Sequence, residues 1–282
     1  MTNPRRQFLR SLGAGALALG VHSGLGLGTA SVYAGPPAET GPEAPSIPAG
    51  APTPEDPQFA AWMMDHIDDL YRGASSHGLM EMHVKTKHWT RQIAMESWSL
   101  GEDYSLVRIV APKKERGTAT LKANDDLFTY LSKTGRTIKI TGGMMGSSWM
   151  GSHFTNDDLV RDNRLIDSFE VRRATTRETA ETYVFELMAK PDAPVVWGKV
   201  EIVVRRADLL PVEQTFYDED LEAARRLTFS AYQEMAGRTL PTVMRMEPLD
   251  GSGEFTEVRQ RRLELDIALE PTFFSLQKLR TL

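Results

Sequence analysis

After Gly73 the apolar residues of the chain recur with a period of two. "LMEMHVKTKHW" alternates, and "YSLVRIVAP" sets Tyr104, Leu106, Arg108 and Val110 on one face and Ser105, Val107 and Ile109 on the other. "TYVFELMAK", "VEIVVRR", "PVEQTFYD", "RRLTFSAYQEM", "TVMRMEP" and "EVRQRRLELDIAL" continue the pattern. A period of two places alternate side chains on opposite faces, which is the signature of a strand. Gly-, Asp- and Asn-rich turn sequences separate these runs, among them Lys133-Thr134-Gly135-Arg136 and Asp250-Gly251-Ser252-Gly253. The spacing predicts about eleven strands joined by short turns, an antiparallel meander. One segment differs. From Asp56-Pro57 to Gly73, Phe59, Met63, Ile67 and Leu70 recur at three and four, with Trp62, His66 and Tyr71 beside them, which predicts an amphipathic helix over 57–72.

Several predicted strands are apolar on both faces, as at Leu187 and Met188 or Val203 and Val204. An antiparallel sheet with one wet face alternates cleanly, so something must cover the second face. The large apolar candidates are helix 57–72 and the stretch "GGMMGSSWMGSHFTNDDLVRD", Gly142 to Asp162. A strongly curved sheet wrapped around both is the simplest arrangement, and it either packs solid or encloses a pocket.

The first 34 residues stand apart. Arg5-Arg6, then Phe8-Leu9, a Gly- and Ala-diluted apolar run and Val32-Tyr33-Ala34 read as a cleavable export signal of twin-arginine type, which places the mature protein in the periplasm. Residues 35–56 are a Pro-rich linker too poor in large apolar side chains to fold. Residues 57–282 remain for a single domain. Loss of the signal leaves a net charge of about −8, a poor match for nucleic acid. The absence of cysteine removes thiolate metal sites and a lipidated amino terminus.

The Gly142–Asp162 stretch carries Met144, Met145, Trp149, Met150 and Phe154 among glycines and serines. Three roles fit these side chains: a plug that completes the core, a soft-metal site in which Met thioethers and His153 hold Cu(I), or a cover over a greasy ligand. Gly142, Gly143, Gly146 and Gly151 favour a cover that moves. Thr155 with Asp157 and Asp158 predicts the cap of a short helix. His77, His83 and His88 read as three separate polar surface residues. No nucleophile elbow, phosphate loop or marked carboxylate pair occurs, so no enzyme and no cofactor are expected.

The order "ESWSLGEDYSLVRIVAPKKERGTATLKANDDLFTYLSKTGRTIKITGGMMGSSWMGSHFTNDDLV", then "VVWGKVEIVVRRADLLPVEQTFYDED", then "RRLTFSAYQEMAGRTLPTVMRM" resembles the LolA-like outer-membrane lipoprotein-sorting family over about residues 58–280. That resemblance implies a mainly β fold: an unclosed antiparallel barrel of about eleven strands with helices filling its mouth, around a hydrophobic cavity for acyl chains. Where relatives usually read Gly-Ser-Asp-Phe, this chain has Gly151-Ser152-His153-Phe154.

The resemblance implies a periplasmic carrier and chaperone for a lipoprotein or lipid. The expected partners are acyl chains and an inner-membrane transporter such as an RND-like exporter, with no nucleic acid and a monomeric state. The residues proposed to line or cover the cavity are Trp89, Trp98, Leu106, Phe128, Tyr130, Met144, Met145, Trp149, Met150 and Phe154. The competing reading is a solid interaction module of an inner-membrane lipid or efflux transporter that carries nothing.

Overall fold

The computed structural model describes residues 50–281 apart from 72, 125, 157, 159–164, 192 and 194. The predicted export signal and most of the predicted linker lie outside the described residues. The first helix, α1, runs from Phe59 to Asp69, shorter at both ends than the periodicity predicts. Asp56 still serves its start, because its Oδ1 accepts the Gln58 N–H at 2.8 Å. Helical bonding then begins at Phe59.

Thirteen strands follow, two more than predicted. They are β1 (Ser75–Lys85), β2 (Thr90–Leu100), β3 (Tyr104–Ala111), β4 (Ala119–Ala123), β5 (Asp126–Leu131) and β6 (Arg136–Ile140), then β7 (Phe169–Arg173), β8 (Thr182–Ala189), β9 (Lys199–Arg205), β10 (Pro211–Tyr217), β11 (Ala223–Met235), β12 (Arg238–Pro248) and β13 (Phe255–Leu265). Short helices α2 (Leu165–Ser168) and α3 (Leu276–Thr281) lie before β7 and after β13. All strands form one antiparallel sheet in the order β6-β5-β4-β3-β2-β1-β13-β12-β11-β10-β9-β8-β7. The fold is an unclosed antiparallel barrel. Two meandering wings, β1–β6 and β7–β13, are joined by the pairing of β1 with β13.

Side chains opposite each other on antiparallel neighbours share a face. One such row reads Arg91, Val84, Thr256, Met246, Leu227, Gln214, Ile202, Phe185 and Arg173, across nine strands from β2 to β7. This is the inner face. Its buried residues merge with Phe59, Met63, Met64, Ile67 and Leu70 of α1 into one cluster.

The connections β1–β2, β3–β4, β5–β6, β8–β9, β10–β11 and β12–β13 leave the sheet at one end, here the upper end. Helix α1 lies across the other. Its first residue packs on Tyr183 and Phe185 at ring distances of 5.2 and 6.0 Å. Its far end is tied to β12, where the Tyr71 hydroxyl donates to the Pro241 carbonyl at 2.9 Å and Arg238 donates to the Asp69 carbonyl at 2.8 Å.

The outer face is not bare either. Over β2 to β5 it carries Trp98, Leu106 and Leu121, covered by Phe274 and by Leu279 of α3. The need for a cover on the second face is therefore met partly by the carboxyl-terminal segment, which the sequence reading did not assign to that role.

Gly198, at the turn into β9, has no room for a side chain. Its N–H donates to the Tyr217 carbonyl at 3.0 Å, and a Cβ there would stand 2.5 Å from the Asp218 carbonyl oxygen. Gly198→Ala should lower stability by about 2 kcal/mol, because the obstacle is backbone rather than a movable side chain; urea denaturation measures it.

Burial pushes His66, stacked on Trp62, below its ordinary value of 6.5, with Asp69 opposing the shift. His77, stacked on Trp98, is lowered by burial and by Arg262, against Glu96 and Glu264. The unfolded chain therefore binds these protons more readily. Their contribution to stability is fully present above the unfolded value of 6.5 and is lost as the pH falls through the folded values. The urea midpoint should drop between about pH 7.5 and about pH 5, and His66→Phe with His77→Phe should shrink that drop.

Candidate ligand-binding interior and its strap

Strands β6 and β7 are edge strands on opposite sides of the sheet, so residues 141–168 must cross from one edge to the other. Of these, residues 148–156 and Asp158 lie over the upper end of the inner face. The crossing is pinned to successive strands. The Trp149 indole donates to Thr120 Oγ1 of β4 at 3.1 Å, and Arg91 of β2 donates to the Met150 carbonyl. The His153 N–H donates to Thr256 Oγ1 of β13 at 2.9 Å. Arg225 of β11 donates to the His153 carbonyl at 3.3 Å. The Leu165 N–H reaches Asp68 Oδ2 of α1 at 3.5 Å. We call this segment the strap.

Within it, Trp149 and Phe154 face each other across a small closed loop. The Trp149 N–H donates to the Phe154 carbonyl at 2.8 Å, and the Asn156 N–H donates to the Ser147 carbonyl at 2.9 Å. The capping residues read from the sequence exchange bonds as expected, Asp158 N–H to Thr155 Oγ1 at 3.2 Å and Thr155 N–H to Asp158 Oδ2 at 2.8 Å. The helix predicted to follow falls on 159–164, outside the described residues.

Two polar knots hold the strap. Arg225 donates through both terminal nitrogens to the two Asp158 oxygens at 2.9 Å, a bidentate and buried pair, and its guanidinium lies 4.5 Å from the Trp197 and Phe216 rings. His153, at the position where an Asp was expected from the resemblance, uses both ring nitrogens. Nδ1 meets Thr256 Oγ1 at 2.9 Å and Nε2 meets Glu254 at 3.2 Å. A neutral ring with its proton on Nε2 satisfies all three contacts, because the Thr256 hydroxyl accepts the His153 amide and donates to Nδ1. The Lys87 amide and then His153 hold the Glu254 carboxyl below its usual range.

The ten residues singled out from sequence separate into four places. Trp149 and Phe154 are buried in the inner cluster, with Met150 packed against it. Met145 packs on Leu127 and Ile140 near the β6 edge. Met144 and Trp89 are exposed. Trp98, Leu106, Phe128 and Tyr130 lie on the outer face with Phe274 and Leu279, and so do not meet the strap. In a strand a shift of one residue reverses the face, and Trp98 stands one residue from Ser97, which points inward.

The residues that line the interior were not named from sequence. Met80 and Met82 of β1, Met95 of β2, and Met244 and Met246 of β12 lie on the inner face, opposite Met63 and Met64 of α1, and all seven are buried. Beside them the Ser97 hydroxyl and the side-chain carbonyls of Gln214 and Gln260 are buried without a hydrogen-bond partner. The available signal was the alternation itself, Met80 with Met82 and Met244 with Met246. Among the described residues no group of three or more His, Asp or Glu side chains is arranged to hold a metal ion.

A family model described as that of an uncharacterized protein matches residues 101–281, more than half of the chain. Three solved structures share the fold. A DUF1329 family protein from Desulfovibrio piger matches with a TM-score of 0.68 and 21% identity, over 79% of this chain and 98% of that one. A domain from Vibrio parahaemolyticus, described as an outer membrane lipoprotein-sorting protein domain, matches with 0.67 and 22%, over 78% and 97%. A LolA superfamily protein from Nitrosomonas europaea matches with 0.64 and 21%, over 78% and 98%. No curated protein matches the chain. The chain therefore belongs to the family of that model, and its fold is the one these three structures share.

Removing one partner of a buried ion pair leaves the other charged and desolvated, at about 3 kcal/mol or more. Asp158→Asn should therefore lower stability by about that amount, and hydrogen exchange should rise first in residues 147–156 and least in β8 and β9. Equal loss of protection everywhere would mean that the strap is not an independent unit.

Proposed function

We propose that the protein is a periplasmic carrier that shelters the acyl chains of a lipoprotein or lipid between the inner face of the sheet, α1 and the strap. The observation that supports this reading is the lining. Seven of the 13 methionines meet in one buried layer. Methionine is unbranched and polarizable, so such a layer can repack around chains of different length where a layer of β-branched residues could not. The unpartnered Gln214 and Gln260 carbonyls and the Ser97 hydroxyl, if not met by water, offer polar contacts for the amide or hydroxyl at the head of an acylated cargo.

The energetics favour loading. Each methylene taken from water gains about 0.8 kcal/mol, whereas opening the strap exposes Trp149 and Phe154 at about 2–3 kcal/mol each, the Arg225 and Asp158 charges regaining water as they part. About five to eight methylenes offset that cost, so a membrane-length chain loads with a surplus. Release then requires an acceptor that favours the opened strap, and loading requires a supplier that does the same, for which an inner-membrane transporter is the proposed source. The protein acts here as a binder and not as a catalyst.

The burial of Trp149 and Phe154 favours a second reading, a solid module that docks on a transporter and carries nothing. Native mass spectrometry of the mature protein, taken from periplasm without detergent, separates the two. A carrier should retain acyl species, and Asp158→Asn should take up added fatty acid about tenfold faster than the unaltered protein, since its strap opens more readily. A protein that arrives empty and refuses both fatty acid and lipopeptide has a permanent core, and the carrier reading falls.

A further inference from the structure

Among the described residues seven large apolar side chains are exposed, and four of them sit on hairpin tips of the upper end: Trp89, Val196, Leu221 and Leu249. Their surroundings differ. Leu221 stands among Asp218, Glu219, Asp220 and Glu222, and Leu249 is followed by Asp250. Trp89, 42% exposed, follows Lys87 and His88. The neighbouring tips of the same wing carry Lys113, Lys114 and Arg116 between β3 and β4, and Lys133 between β5 and β6 with Arg136 at the start of β6, all exposed. The one acid among them, Glu115, is paired with Arg91. The lower end of this wing is acidic instead, with Glu102 and Asp103 between β2 and β3.

We propose that the upper rim of the β1–β6 wing is a docking face for an anionic lipid surface. The face combines the two features such a surface recognises. Clustered lysines and arginines are drawn to anionic headgroups, and an exposed tryptophan settles at the boundary between headgroup and acyl chain. The protein as a whole is acidic, but screening over about 8–10 Å leaves the nearest charges to decide the approach. The acidic tips of the other wing then turn the molecule so that the basic half meets the membrane.

Docking and opening share a residue. The far edge of the Trp89 ring lies over Gly151 of the strap, where a Cβ would stand 3.7 Å from it. A ring that moves into lipid leaves the strap there. Rim docking goes beyond the carrier reading and does not require cargo.

Cosedimentation of the mature, ligand-free protein with phosphatidylcholine vesicles, with and without phosphatidylglycerol, tests the rim. Binding should need phosphatidylglycerol and weaken with salt. Each lysine contact contributes about fivefold, so Lys113→Glu, Lys114→Glu and Lys133→Glu together should lower binding more than a hundredfold. Lys→Arg at the same three positions should keep it. Trp89→Ser should weaken binding while Leu221→Ser leaves it unchanged, with circular dichroism confirming that each variant is folded. Equal binding to neutral vesicles, indifference to the charge reversal, or no vesicle binding at all overturns the proposal, the last leaving the basic tips to an acidic protein. Because the protein is tested empty, failure here does not touch acyl binding, and an empty interior does not touch the rim.

Discussion

The two edge strands of the sheet, β6 and β7, follow each other in the chain and lie on opposite sides of thirteen strands. The segment between them has to span the whole width of the structure. A sheet that closed on itself would put these strands side by side and parallel, since thirteen alternating strands begin and end in one direction, and a crossover the length of one strand would join them. Here the connection becomes a structural layer. It must bury something to be held, which is the role of Trp149 and Phe154. It must also satisfy its own backbone over an apolar surface, which is the role of Arg91, Thr256 and Arg225. Helix α1 solves the same problem at the other end with bonds to Pro241 and from Arg238.

The interior between these two covers is soft in composition and firm at its boundary. Its lining sets seven methionines among Val, Ile, Leu and Phe, whereas the strap is fixed by a bidentate Arg225–Asp158 pair and by a histidine that uses both ring nitrogens. A buried ion pair is seldom the cheapest way to gain stability, since apolar residues of similar size often do as well. What it supplies is a contact that is either made or broken. That suits a cover with two positions better than a continuous hydrophobic seam.

The strand pattern, the first helix and the antiparallel meander were legible because alternation and three-and-four spacing are local. The count fell two short, in a sheet where β4, β6 and β7 have only five residues each. The site was legible in part. The glycine- and methionine-rich stretch marked itself by composition, and it is the strap. Its partners could not be read, because Thr120, Thr256 and Arg225 are brought to it by sheet order, which a sequence does not display. Trp98, Leu106, Phe128 and Tyr130 looked like interior residues because they are large and apolar. Their parity placed them on the outer face, where the covering group, Phe273-Phe274 with Leu279, lies about 150 residues further on. Trp89 attracted notice for its size, and its exposed position on a hairpin tip followed from turn geometry.

The pairing of β1 with β13 joins the first strand of the domain to the last. The wing β1–β6 can assemble from local hairpins as soon as it is synthesised, but one side of β1 then stays unpaired until some 180 residues later in the chain. Closing that pair demands a long loop, which slows folding far more than it weakens the finished sheet. Until then the long edge of β1, with Met80 and Met82 beside it, is open to any other strand that comes near. The order of synthesis therefore makes the last strand the one that completes the molecule, and a chain truncated before β13 would be left as two unjoined wings with an adhesive edge.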